Sequence, residues 1–478
     1  MFKIRTSKYR HVFCDQPKVE ETFTEFRLST VTGDQQYIKA SAKYFAVGMA
    51  GGGGPVYVNR LDRPGRFDVA DGPYVHGHEG AVNDFDWNPF DDSMMATGSE
   101  DTKIKIWQIP ETWEPTDENG VQKAGQGLSE SVVDLVGHRK KVTLLRFHPT
   151  AANSLMSSSG DYTVRIWDVE TGSEARKYSG CDNIIHDIVW DYTGDMFAVT
   201  CKDKQIRLVD PRSAETAAET LGHDGAKSVK VVYANDSGKL FSFGASKQST
   251  REIKVFDIRN FDKPIHTEPV DTAAGAMIPL WDGDTNVLYL CGKGDGIVRL
   301  YEYEDKSPFI FKLNDGFRSN IPGKGYCMVP KRGLKIMNCE TTRILKVTNS
   351  TGVHPLSFTV PRKSDAFQDD IFPDTAAAVP SHSFAEWLEG SSKEPVKMSL
   401  DPKDGGKTAA AVSKPTKTFK PAAAVQKELE GAQKDLDEKT KSLETAQEDL
   451  DKTQKSLAEA NERIQYLEEK LKEAGIEY

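Results

Sequence analysis

The 478-residue chain contains no apolar run of about eighteen residues, the shortest that would cross a bilayer as a helix. Its N-terminus, MFKIRTSKYR, lacks the apolar stretch of a secretory leader. Cysteine is sparse. Cys14, Cys181, Cys201, Cys291, Cys327 and Cys339 are scattered, with no C-x-x-C pair and no zinc-like spacing. That argues against a disulfide framework or a zinc site and predicts reduced, buried thiols in a cytosolic protein. A basic excess is also missing: a net charge of −10 offers no electrostatic footprint for nucleic acid. No glycine-rich stretch ends in the GK[ST] of a phosphate loop. GGGG at 51–54 and GKGDG at 292–296 read as hairpin turns, where glycine supplies a positive φ. No Ser/His/Asp or Cys/His set assembles, so no enzymatic activity, metal or cofactor is expected.

Hydrophobic residues make up only 38% of the chain, and they are concentrated before residue 376. The remainder is rich in Ala, Lys, Glu, Ser and Pro and cannot bury a core alone. The first 360 residues repeat. Gly77-His78 leads to IKIW ending at Trp107, Gly137-His138 to VRIWD with Trp167, and Gly222-His223 to IKVFD with Phe256. IRLVD (206–210) and IVRLYEY (297–303) keep the ending without the Gly-His opening. A period of roughly 40–60 residues with these endings points to WD40 blades. His78, Thr97, Asp101 and Trp107 match the hydrogen-bonded tetrad of such a blade, as do His138, Ser157, Asp161 and Trp167. Asp203 and Asp295 mark partial copies. These residues predict a fold, not a function.

KYFAVGMAGGGGPVYV (43–58) reads as an opening blade, and strands at 326–348 and 354–360 follow the sixth. KYRHVFC (8–14) has no neighbouring partner, so it is assigned to the last blade, closing a ring of seven and removing open sheet edges. The stretch 110–130 reads as an inserted loop. The fold expected is an all-β seven-bladed WD40 propeller over 1–360. An ordered extension follows at 361–390, a flexible basic linker at 391–421 and a helical coiled coil at 422–478. Trp387, alone in a polar tail, is expected to dock on the propeller. Asp369-Asp370 reads as an acidic surface segment rather than a catalytic pair. Arg27 lies in FTEFRLS (23–29), an alternating segment whose Phe23 faces inward. On these grounds alone Arg27 is a solvated surface residue.

Five stretches closely resemble coronins: SKYRHVF (7–13), SEDTKIKIWQIPE (99–111), CKDKQIRLVDPR (201–212), YLCGKGDGIVRLYEY (289–303) and PRKSDAFQDDIFPDT (361–375). The order of propeller, extension with AEW at 385–387, linker and coil resembles them too. The resemblance implies a binder of actin filaments in the cortical cytoplasm, self-associating through its coil. It also implies that the filament contact depends on a surface Arg early in the first blade, which Arg27 matches. An influence on the actin-related nucleating complex and cooperation with cofilin come with the same resemblance. The competing expectation is an oligomeric WD scaffold whose main partners are proteins other than actin.

The coil is legible without the resemblance. Leu429, Leu436, Leu443, Leu450, Leu457, Ile464 and Leu471 stand seven apart, with charged residues between, the pattern of a left-handed coiled coil. Placing them at heptad position a puts Ala432, Lys439, Ala446, Thr453, Ala460 and Leu467 at d, a thin seam strongest near its end. Such a stripe needs other helices, so a homo-oligomer is expected. Arg463 and Glu468 form the single opposite-charge g–e pair, and RIQYLE (463–468) resembles the motif linked to trimeric coils in coronins. A trimer is therefore favoured, with dimer and tetramer open.

Overall fold

In the computed structural model the described residues are 6–24, 27–31, 35–66, 74–110, 127–349, 352–405 and the helical positions 440–441, 447, 452–470 and 472. The chain divides into two units, Met1–Thr416 and Lys417–Tyr478.

The first unit is a seven-bladed propeller, its blades lying at 38–75, 82–135, 142–178, 185–221, 230–271, 277–318 and 325–359. Blades 2 to 6 each order their first four strands consecutively from axis to rim, and blade 1 does so with Tyr74–Val75 as its fourth, Gly65–Arg66 joining blade 7. In blade 2 these are Val82–Trp87, Met94–Ser99, Ile104–Gln108 and Val133–Leu135. The first strand of each blade touches the first strand of the next, and Gly325–Met328 of blade 7 touches Ile38–Ala40 of blade 1, so the ring is closed. The second strands are buried along their whole length, as Met94–Ser99 and Lys239–Ala245 show. Neighbouring blades cover both faces, which is why most of these strands run to small or apolar residues rather than an alternating pattern. Gly98 marks one close approach between blades: a Cβ there would lie 2.6 Å from Val142 Cγ1 of blade 3.

Ring closure differs in detail from the expected strand at 8–14. Only Phe13–Cys14 forms a ladder with Gly352–Thr359, while Tyr9 and Val12 pack into the blade 6–7 core. A second segment, Phe23–Thr24, also pairs with Gly352–Thr359, and parallel to Gly65–Arg66. Blade 7 is thus completed twice by the N-terminal chain, which ties both ends of the propeller together. Phe23 is buried against Phe45, and among the described residues that follow, Leu28 makes a single bridge to Met49. Residues 111–126 of the expected insertion lie outside the described residues.

The extension runs further than its sequence suggested. Residues 391–405, placed from composition in the flexible linker, belong to the packed unit: Lys397–Met398 pairs with Thr375–Ala376, and Leu400 is buried in the blade 6–7 core. A lysine-rich composition hid two short anchors. Within the second unit, residues 452–470 are helical, with Leu457, Ile464 and Leu467 exposed on the single helix. Leu429, Leu436, Leu443, Leu450 and Leu471 lie outside the described residues.

Candidate functional site

The tetrads define one face of the ring. His78 Nδ1 lies 2.8 Å from Asp101 Oδ2 and its Nε2 2.8 Å from Thr97 Oγ1, which also accepts from Trp107 Nε1 at 2.8 Å. In blade 3, His138 contacts Asp161 at 3.2 Å and Ser157 at 2.8 Å, and Trp167 Nε1 donates to Ser157. Burial pushes both histidines below their usual range, which keeps the imidazoles neutral. Asp101 is pushed up by burial but held lower on balance by the Lys103 amide and by His78. Asp101, Asp161 and Asp203 each cap a hairpin turn whose next residue, Thr102, Tyr162 or Lys204, is left-handed.

Blade 5 keeps the chain with other residues. His223 bonds Ser242 at 2.9 Å and Glu252 at 3.0 Å, so a third-strand glutamate replaces the hairpin aspartate, and Phe256 stands in place of Trp. Where histidine is missing, arginine takes its charge partner: Arg207 donates to Asp203 at 2.6 Å, and Arg251 to Asp295 at 3.0 Å. The histidines are buried and each of these groups is engaged by a neighbour, so this is scaffold chemistry rather than a reactive centre.

A second network, which periodicity does not reveal, lines the central channel. Lys39, Asp84, Arg146, Asp187 and Lys230 come from the first strands of blades 1 to 5 in order. They alternate in charge at 3.1, 3.3, 3.4 and 3.9 Å. Each pair spans a blade boundary, so the belt fastens neighbouring sheets together.

The two faces of the ring differ. The extension crosses the face made by turns between first and second strands: Thr375 donates to Asp284 at 2.6 Å, Ser381 N to Thr150 O at 2.8 Å, and Trp387 Nε1 to Gly194 O at 3.1 Å. Its short helix, Phe384–Leu388, starts on a capping box in which Ser383 and Glu386 exchange hydrogen bonds. That Ser-x-x-Glu spacing was a signal in the sequence.

Arg27 lies on the opposite face. Its carbonyl accepts from Ala50 N at 2.8 Å, and Ala50 sits in the turn between second and third strands of blade 1, the end that carries Asp101 and Asp161 in blades 2 and 3. The Arg27 side chain is exposed. Beside it, the ammonium groups of Lys324 and Lys293 lie 4.7 and 5.1 Å from the centroid of the Tyr37 ring, and Lys324 reaches Ser29 O at 3.5 Å. Lys140, Lys202, Lys204 and Lys247 are exposed in turns and links on the same side, interspersed with Glu79, Glu100 and Asp224. Arg463 and Glu468 lie on the C-terminal helix with Ile464 and Leu467, with Arg463 exposed and Glu468 half-exposed. Among the described residues no group of three His, Cys, Asp or Glu could hold a metal, and no helix is long and apolar enough to cross a membrane.

Residues 73–108, 129–168 and 172–210 match the WD domain, G-beta repeat; residues 353–395 match a further type of WD40 repeat; and residues 2–66 match a domain of unknown function, DUF1899. Human Coronin-2A is 36% identical over 83% of this chain and 75% of its own length. Coronin-A of Dictyostelium discoideum is 38% identical over 88% of this chain and 90% of its own. The chain belongs to the coronin family. The coronin-like protein crn1 of Schizosaccharomyces pombe is 36% identical over 82% of the chain, which spans 64% of that longer relative. Among solved structures, the WD40 domain of Toxoplasma gondii coronin superposes with a TM-score of 0.76 at 31% identity, covering 82% of this coronin and 98% of that domain. The DUF1899 match, 2–66, spans Arg27 and the Phe13–Cys14 and Phe23–Thr24 strands that close blade 7.

Proposed function

We propose that this coronin binds actin filaments through the face carrying Arg27 and crosslinks them by self-association of its C-terminal helix. The observation that carries the first half is the position of Arg27: exposed, two residues from Ser29, whose carbonyl Lys324 reaches, and on the face that the extension leaves open. An acidic filament surface is the complement of such a patch. The second half rests on Leu457, Ile464 and Leu467, which an isolated helix leaves in water and a coiled coil would bury. Several propellers on one rod raise filament avidity without a new contact. A trimer, with Arg463 and Glu468 setting its register, is the favoured state. Influence on the actin-related nucleating complex and cooperation with cofilin belong to the same proposal, as does residence in the cortical actin cytoskeleton of the cytoplasm.

Co-sedimentation with actin filaments tests the reading. The full chain should pellet with filaments at low salt and bundle them. Arg27→Asp should weaken pelleting at least about tenfold while leaving the melting temperature unchanged. Failure of the wild type to pellet at low salt overturns the proposal.

A further inference from the structure

A cleft of about 370 Å³ opens where the central channel meets the Arg27 face. It is built mainly where the first strands of blades 2, 3 and 4 begin, with Lys202 contributed by a hairpin turn of blade 4. Leu144, Ile184 and Ile185 form its apolar lining. Ile185 is buried, whereas Ile184 is 45% exposed, an aliphatic side chain standing open among charged neighbours. The backbone of Ile184 is fixed. Its N–H donates to Asn183 Oδ1 at 2.9 Å and its carbonyl accepts from Lys202 N at 2.9 Å. The side chain is thus presented at little further cost in chain entropy.

The rim is cationic. Lys202 is exposed, and Lys141 is half-exposed, 3.7 Å from an equally exposed Glu100, a pair that water screens and a better partner can displace. The acid in the lining is Asp84, and its Oδ2 already accepts from Lys39, Arg146 and the amide of Leu145. The volume falls in the range of pockets that hold small ligands or single anchoring side chains.

We propose that this cleft binds a short acidic segment of a partner protein, which inserts one branched aliphatic side chain against Leu144 and Ile184 and sets carboxylates on Lys141 and Lys202. Charge selects the segment and the apolar contact holds it; either alone is weak on an exposed surface. The inference is independent of the filament reading, because it concerns a concave site at the channel mouth rather than the Arg27 patch.

Selection of random twelve-residue peptides displayed on phage against the full chain is the test, followed by titration of a labelled selected peptide. The enriched family should carry Leu, Ile or Val flanked by Asp and Glu. Its binding should fall at least about tenfold with Ile184→Asp and with Lys202→Glu, and should weaken as sodium chloride rises. Lys263→Glu, a charge reversal at an exposed site in a turn on the opposite face, should bind like the wild type. Thermal melts of the variants establish that the propeller is intact. Enrichment of basic or uncharged peptides, or unchanged binding to folded Ile184→Asp and Lys202→Glu, overturns the proposal.

Discussion

The indole Nε1 of Trp387 donates to the carbonyl of Gly194, 3.1 Å away and 193 positions earlier in the chain. The ring is fully buried among His148, Trp190 and Phe384, with the Arg212 guanidinium 5.3 Å from its centroid. Arg212 also donates to the carbonyls of Trp387 and Ser391, each at 2.8 Å. A segment that follows the last blade is thereby fixed to blades 3 and 4, half a ring away.

Trp387→Ala should therefore release the extension rather than unfold the blades. Emptying so large a buried site costs about 3–5 kcal/mol, more than a strap of a few dozen residues is expected to hold in reserve. Limited proteolysis followed by mass spectrometry should show new cuts within 376–405 in the variant, with blade 3 and 4 peptides still protected. An unchanged cleavage pattern would show that Trp387 is not the anchor.

Asp84 is the shared partner of Lys39 and Arg146 across two blade boundaries, at 3.1 and 3.3 Å. Asp84→Ala removes the acid between two largely buried cations, leaving, among the described residues, Lys39 only Asp86 and Arg146 only Asp187, and should cost about 3–5 kcal/mol. Asp84→Leu should be no better, since it removes the same charge. Urea denaturation measures both, and a loss under 1 kcal/mol would mean the belt is not a fastening.

Burial pushes Asp191 up to about 6, with Asp195 adding to the effect and backbone amides opposing it, and among the described residues Asp191 Oδ1 has no hydrogen-bond partner. A carboxyl raised in the folded state stabilises while neutral. Its contribution is complete below an unfolded value near 3.9 and is lost as the pH rises through about 6. Asp191→Asn should therefore raise stability by about 1–2 kcal/mol at neutral pH and change little near the unfolded pKa. Asp284, raised by burial and by Asp282, has the same sign. Melting temperatures followed across this window provide the check; a gain from Asp191→Asn that persists at the acid end would contradict it.

Ile464→Asp and Leu467→Asp place charges in the best layer of the proposed coil. Each should convert the oligomer to monomer at micromolar concentration, read by light scattering, and abolish bundling while single-filament binding survives weakly. Arg463→Ala should change the number of subunits, or loosen them, more than a lone surface ion pair worth about 0.5 kcal/mol would. A wild-type chain that is already monomeric would end the avidity argument.

The fold was legible where chemistry recurs along the chain. Gly-His openings and the IKIW, VRIWD and IKVFD type of ending located the blades, because a blade is a local unit whose hydrogen bonds lie within some thirty residues of sequence. Glu252 as the partner of His223 was not legible: a glutamate on the neighbouring strand satisfies the same nitrogen, and no linear spacing requires it. The extension past residue 390 was missed for a similar reason. Lys397–Met398 and Leu400 anchor a stretch whose composition is that of a spacer.

What the sequence by itself determined was the repeat, the tetrads, the heptad stripe and the family likeness, all of them features set by local spacing. Only the tertiary structure decided the rest. It brought Lys39, Asp84, Arg146, Asp187 and Lys230 into one alternating belt, and it laid the extension across one face. It left Arg27, Lys293, Lys324 and Ile184 on the other. The reason is the ring: closing seven sheets about an axis brings together side chains dozens to hundreds of residues apart, and their separation in sequence carries no trace of it.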